Sequence, residues 1–223
     1  MPVFLLSEHY LDFPPPHLAS PEGVLALGGD LSPERLLYAY ERGIFPWFNE
    51  DEPILWWCPD PRFVLYPHEL KVSKSMRPLF NRAAFRVSFD ACFSDVMEAC
   101  GDRQDGTWIT PDMIEAYTRL HQMGYAHSVE VWQDDQLVGG LYGLALGKVF
   151  FGESMFARVS NASKYGFITL VQCLIGQGYT LIDCQQETTH LASLGARAIP
   201  RATFLQHLET NRQLPNMPAR WVL

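Results

Sequence analysis

The run YTLIDCQQETTH, residues 179–190, begins as a buried strand (Tyr179, Thr180, Leu181, Ile182). It then sets Asp183, Cys184, Gln185, Gln186 and Glu187 in immediate succession. A carboxylate and amides at the end of an apolar strand cost free energy unless they find partners. Asp183 there can serve a reacting centre, cap the following helix or pair with a buried arginine, and spacing alone leaves these readings open. A second polar cluster, Gly152-Glu153-Ser154-Met155, ends another apolar strand. Of the seven histidines none falls in a triad or metal-ligand spacing, and His190 reads as structural. The five cysteines (58, 92, 100, 173, 184) show no CxxC pairing and are odd in number. That pattern fits reduced thiols better than a disulfide framework or a zinc site.

The elements around these clusters say how they could meet. From residue 84 the pattern is regular. FRVSF alternates as a strand, and a helix follows with Asp90 as its cap, Cys92, Phe93, Val96, Met97 and Cys100 on its apolar face and Gly101 at its end. After the polar loop GDRQDGTWI, Thr110-Pro111 opens a second helix with Ile114, Tyr117 and Leu120 on one face. AHSVEVWQ, QLVGGLYGLAL and KVFFGESMF read as three strands joined by hairpins at Asp134-Asp135 and Gly147-Lys148. A long helix spans about 161–177, stopped by Gly178, and the strand ending in Asp183 follows. Two shorter helices, at HLASLGA and after Pro200, complete this part. Strand, helix, helix, three antiparallel strands, helix, strand, helix is the order of the GNAT acyltransferase fold. A right-handed crossover would lay the last strand parallel to the third strand of the meander, with the two polar ends side by side at one cleft.

Residues 1–62 differ. One helix stands out from Ser32, an N-cap followed by Pro33, to Gly43. The surrounding VLALGGDLS and IFPWFNEDEPILWWCPDPRFVL are too rich in Pro and Trp for one regular element, so a small irregular aromatic lobe is expected. The fold class is therefore α+β: a GNAT-like C-terminal domain, residues 63–223, with a mixed, mostly antiparallel sheet and flanking helices, plus an N-terminal lobe, residues 1–62.

With 223 residues, 48% of them apolar and 19% charged, the chain can build a core without disulfides or metals. MPVFLLSEHYLDFPPP has no basic segment before its short apolar run, and no stretch is long enough for a membrane span, which reads as a cytoplasmic protein with no membrane partner. A net charge of −8 argues against bulk nucleic-acid binding. One local exception is LKVSKSMRPLFNRAAFRVSF, residues 70–89, with Lys71, Lys74, Arg77, Arg82 and Arg86 and no acid. Alone it reads as a solvated basic face or a joint between lobes. No extended apolar pattern is left over for an interface, so a monomer is expected. A GNAT acetyltransferase would hold the CoA pyrophosphate on a glycine-rich loop at the start of the long helix. Here that position reads ARVSNASKYG, without the glycines, and neither a dinucleotide fingerprint nor a P-loop occurs.

LALGGDLSPERLLYAYERGIFPWF, PILWWCPDPR, DGTWIT, GGLYG, FFGESMF, NASK, LIDCQ and HLASLGA together resemble bacterial leucyl/phenylalanyl-tRNA–protein transferases, in that family's order and spacing, from about residue 10 to about 206. The resemblance implies transfer of Leu or Phe (Met being a further possible donor) from aminoacyl-tRNA to the α-amino group of a protein beginning with Arg or Lys. It implies a peptide-bonded product that acts as an N-degron, and no metal or CoA. It assigns the reacting centre to Asp183 and Gln185, with Asp183 orienting Gln185 and the Gln185 amide oxygen accepting a hydrogen bond from the incoming amine. Glu153 would stand beside Gln185 and help hold the substrate. Trp47 and Trp108 match tryptophans that contact the 3′-terminal adenosine, where stacking suits a single-stranded end. Leu141, Leu170 and Ile182 fall where the family lines its apolar side-chain pocket. Lys74, Arg77 and Arg82 match its patch for the tRNA acceptor stem. Two other readings stand beside it. One is an acetyl-CoA-dependent N-acetyltransferase, which the missing glycine loop disfavours. The other is a non-catalytic tRNA 3′-end-binding module, which would need the tryptophans and the basic run but not Asp183 and Gln185.

Overall fold

The computed structural model describes residues 3–102, 106–216, 219 and 221. Residues 103–105 of the polar loop, and the last few positions of the expected C-terminal domain, lie outside the described residues.

The N-terminal part is more regular than expected. Strands β1 (Phe4–Leu6), β2 (Val24–Gly28), β3 (Phe45–Pro46) and β4 (Leu55–Trp57) form a small sheet in the order β1-β2-β4-β3. The prolines between them break the chain into pieces short enough to pair. Helix α1 (Pro33–Tyr40) lies among them, and its Ser32 cap accepts from the Arg35 backbone N–H. Trp56, fully buried, donates its indole N–H to the Gly28 carbonyl at 2.9 Å.

The main sheet has seven strands in the order β11-β5-β10-β9-β8-β7-β6. Strand β5 (Arg62–Leu65) precedes helix α2 (Arg77–Asn81), β6 (Arg86–Phe89), helix α3 (Phe93–Gly101) and helix α4 (Pro111–Gln122). The meander β7 (Ala126–Gln133), β8 (Gln136–Leu146) and β9 (Val149–Ala157) is antiparallel throughout. Its first hairpin turns on Asp134 and Asp135, both with positive φ (49° and 60°). This is the pair of left-handed residues that a tight hairpin requires. Helix α5 (Ala162–Gly176) then crosses to β10 (Leu181–Gln185), which lies parallel to β9 as expected. Helix α6 (Thr189–Ser193), strand β11 (Arg197–Ile199) and helix α7 (Arg201–Asn211) follow. The GNAT-like α+β order is the one observed.

In the main sheet two strands escaped the sequence reading. β5 was hidden in a Pro- and Trp-rich run, and β11 is only three residues long. Both extend the sheet beyond β10, β5 pairing antiparallel with β10 and β11 with β5. A second correction concerns Asp90. It does not cap α3, whose first turn follows Cys92 with no side-chain cap. Its carboxylate instead meets His127 Nδ1 at 2.9 Å and the Ser128 N–H at 3.0 Å. Its positive φ of 53° turns the chain out of β6.

Alternation along the strands builds two cores. On one face Tyr142, Leu144, Phe151 and Leu181 pack with α3, α4, Phe204 of α7 and the N-terminal sheet and α1 in one continuous core. On the other Val129, Leu141, Phe150 and Ile182 pack under α5. No helix among the described residues is long and apolar enough to cross a membrane.

Candidate active site

The site lies where the sheet opens. β9 and β10 pair only over Val149–Phe151 and Leu181–Asp183, after which the strands part. Each carries a bulge at the opening. In β9 the register against β8 jumps between Gly152 and Ser154, leaving Glu153 as the extra residue. Gly143 opposite it has no room for a side chain, since a Cβ would lie 2.1 Å from the Phe151 carbonyl oxygen. In β10 the register against β5 jumps between Asp183 and Gln185, leaving Cys184 as the extra residue. Gln185 adopts φ 60°, a left-handed conformation that costs a non-glycine residue about 1 kcal/mol. Bulges of this kind re-aim side chains, and here they turn Glu153 and Gln185 towards each other. Gln185 Nε2 donates to Glu153 Oε1 at 2.8 Å.

Asp183 is fully buried and paired with the equally buried Arg62 of β5. Arg62 Nε donates to Oδ1 at 2.8 Å and an Nη to Oδ2 at 2.6 Å, a two-point grip. The remaining Arg62 Nη reaches the Gly43 carbonyl at 3.1 Å. The guanidinium lies 4.8 Å from the Phe45 ring centre and 4.6 Å from that of Phe204. Asp183 also accepts the Gln185 backbone N–H at 2.9 Å on Oδ1. It therefore meets Gln185 through the backbone, not through the side-chain amide.

Glu153 is half-buried, and among the described residues no cation hydrogen-bonds to it. It accepts the Tyr40 hydroxyl at 2.7 Å and, at 3.4 Å, the Tyr117 hydroxyl. The two tyrosine hydroxyls also bond each other. Burial pushes the Glu153 carboxyl up to about 8, the Tyr40 hydroxyl pulls it down, and the charge of Asp183 adds to the rise. Burial likewise lifts both tyrosine hydroxyls well above their ordinary value.

These groups border a cleft of about 510 Å³. Of the expected residues, Glu153, Asp183, Gln185, Trp47, Trp108, Leu141 and Ile182 all line it. Leu170 does not: it is fully buried in the core behind the wall, and Phe167 of α5, a turn earlier, faces the cleft instead. Trp47 is 37% exposed and lies beside Trp57, whose indole N–H donates to the Trp47 carbonyl at 2.7 Å. Among the described residues, Glu153 and Asp183 are the only acids along the lining. His190 lines it too, with Nε2 enclosed and without a hydrogen-bond partner among the described residues. Lys74, Arg77 and Arg82 are exposed around α2, outside the cleft lining. No cluster of three His, Cys, Asp or Glu placed to hold a metal ion occurs among the described residues.

Arg62, Tyr40, Tyr117 and Phe167 carry parts of the site that the sequence reading did not assign. Tyr117 is spaced as an apolar-face residue of its helix, and nothing local to Arg62 points 121 residues ahead to Asp183. The arrangement as a whole can seat a flat base against indole rings, bury an apolar side chain, and present an amide and a protonatable carboxyl to a nucleophile.

Comparison with known proteins identifies the family of the chain. The family model described as leucyl/phenylalanyl-tRNA protein transferase matches residues 64–209, and the model of that family's N-terminal domain matches residues 29–60. A leucyl/phenylalanyl-tRNA–protein transferase of Nitrosospira multiformis is 59% identical over 202 residues, covering 88% of this chain and 87% of its own. The one from Stutzerimonas stutzeri is 57% identical over 211 residues, covering 92% and 93%. Among solved structures, a GCN5-related N-acetyltransferase-like protein from Streptococcus suis is similar at a TM-score of 0.38 and 13% identity, over 72% of this chain and 61% of its own. With family models spanning most of its length and relatives well above half identical, the chain belongs to the leucyl/phenylalanyl-tRNA–protein transferase family.

Proposed function

We propose that the protein moves Leu or Phe from aminoacyl-tRNA to the α-amino group of proteins that begin with Arg or Lys, marking them as N-degrons. The observation that carries this reading is the meeting of the Gln185–Glu153 pair, two tryptophans and an apolar wall in one cleft. The terminal adenosine stacks at Trp47 and Trp108. The donor side chain enters the apolar part bordered by Leu141, Ile182 and Phe167, with Leu170 backing the wall. Lys74, Arg77 and Arg82 contact acceptor-stem phosphates, so donor binding weakens with salt. Both substrates are cytoplasmic, and the reading places the protein there, acting as a monomer. The lobe of residues 1–62 brings Trp47 to the domain of residues 63–223.

The ester is already activated, so the enzyme positions the amine and manages one proton. With Gln185 Nε2 committed to Glu153, the amide oxygen is the end that accepts from the amine. The amine nitrogen bonds the ester carbonyl carbon, the bond to the ribose oxygen breaks, and the proton given up by nitrogen ends on that oxygen. An amide is too weak a base to hold the proton in between. Glu153, whose proton affinity is close to that of an α-amino group, holds it.

The test is transfer of labelled leucine from Leu-tRNA to a peptide beginning with Arg, compared with the same peptide N-acetylated, without CoA. Label on the free-amine peptide alone is expected. Label on neither, with acetyl-CoA active in a parallel reaction, would replace this reading with N-acetylation.

A further inference from the structure

We infer that Arg62 is a positioning residue for the transfer step, fixing Gln185 through the Asp183 carboxylate. The inference rests on the function proposed above. Gln185 holds an unfavourable left-handed backbone in the bulge of β10, and one contact that holds it there is its N–H on Asp183 Oδ1. That same oxygen is gripped by Arg62 Nε, so the rotation of the Asp183 carboxylate is set by the guanidinium fork. The fork itself is fixed on three further sides, by the Gly43 carbonyl, the Phe45 ring and the Phe204 ring.

The origins of these contacts give Arg62 its importance. Gly43 and Phe45 belong to the small lobe, immediately before Trp47. Phe204 belongs to α7, and Asp183 to the strand that ends at the cleft. A single planar group thus sets the small-lobe wall, which carries Trp47, against the backbone that carries Gln185. Lysine could supply the charge but neither the two-point grip nor the flat face between two rings. A displacement of Gln185 by a fraction of a residue leaves both substrates bound and slows only the reacting geometry.

The experiment compares the wild type with Arg62→Lys, and with Phe204→Leu, which removes one ring from the guanidinium and leaves the ion pair in place. Amide hydrogen exchange is read at Gln185 and at Ile182 by NMR, and kcat and KM are read with Leu-tRNA and an Arg-initiated peptide. For Arg62→Lys the expected result is Gln185 exchange at least about tenfold faster with Ile182 unchanged, and kcat lower by about tenfold or more with both KM values within about threefold. Phe204→Leu shifts the same quantities less, and it decides the matter if the lysine variant does not fold. A merely structural arginine would lower the melting temperature and leave kcat of the folded enzyme in place. Unchanged exchange at Gln185, kcat within about twofold, or a loss confined to KM for the tRNA overturns the inference. If the wild type transfers no leucine, the proposed function fails, while the exchange comparison still decides whether Arg62 holds Gln185.

Discussion

Asp183 and Glu153 stand on neighbouring strands and both bond Gln185, one through its backbone and one through its side chain. Their surroundings are opposite. Asp183 is sealed from solvent and faces a guanidinium that matches it in charge and shape. Glu153, half-buried on the same cleft, is held by two tyrosine hydroxyls and an amide, all neutral. The difference divides the labour. A buried carboxylate gripped at two points by its own cation is held in place and serves as framework. A carboxyl held only by neutral partners can gain or lose a proton near working pH, which suits chemistry.

The largest expected effect tests the framework half. Asp183→Ala leaves Arg62 buried without its counter-charge, and breaking such a pair costs about 3–5 kcal/mol. Urea unfolding of the variant against the wild type measures it. A loss under about 1 kcal/mol would break the comparison, because Asp183 would then not be framework at all.

Glu153→Gln sharpens the other half, through pH. The folded carboxyl is raised from 4.5 to about 8, chiefly by burial. Between those values the folded state holds a proton that the unfolded state has released. Stability is therefore full below about 4.5 and falls as pH rises through about 8. The slope is on the order of 1 kcal/mol per pH unit at most, less for a half-buried group. Glutamine removes the ionisation, so the variant's stability is flat over that window and exceeds the wild type's at its alkaline end. Its transfer rate falls by about a hundredfold. Unfolding curves at pH 5, 6.5 and 8, with kcat at each, read both effects. A slope that survives the substitution assigns the ionisation to another group.

The two halves were not equally legible in the sequence. The meander, the crossover helix and the parallel return to β10 follow from hydrophobic period and turn residues, and these place Glu153 and Asp183 at one opening. The partners that distinguish the two acids come from far along the chain. Arg62 sits in a strand masked by prolines and tryptophans, and Tyr40 and Tyr117 occupy apolar helix faces where a hydroxyl leaves no periodic trace. The bulges that aim Gln185 and Glu153 add one residue each to a strand without changing its composition. Position was readable because it depends on period. Partnership was not, because it depends on which side chains a finished core brings together. Leu170 shows the same limit, since helical spacing puts both it and Phe167 on the inner side of α5 but only Phe167 reaches the cleft.

The smallest effect is expected from Cys184, the extra residue of the β10 bulge, between Asp183 and Gln185 in sequence. A thiol at the centre of an acyl-transfer site invites a covalent mechanism, with an acyl thioester between donor and acceptor. Its surroundings argue against that role. Burial pushes the thiol far above its ordinary value, the Asp183 charge adds to the rise, and the thiol reaches the Ile182 carbonyl only at 3.9 Å. A nucleophilic cysteine needs the reverse, a nearby cation or helix N-terminus to favour the thiolate. Arg62 does pull in that direction, but its fork is already committed to Asp183. Cys184→Ala should therefore cost about 1 kcal/mol or less in stability and leave kcat within about twofold, with iodoacetamide lowering wild-type transfer no faster than the variant's. If the alanine variant instead lost as much activity as Glu153→Gln, the chemistry would belong to the bulge thiol, and the contrast between the two carboxyls would describe only the walls around it.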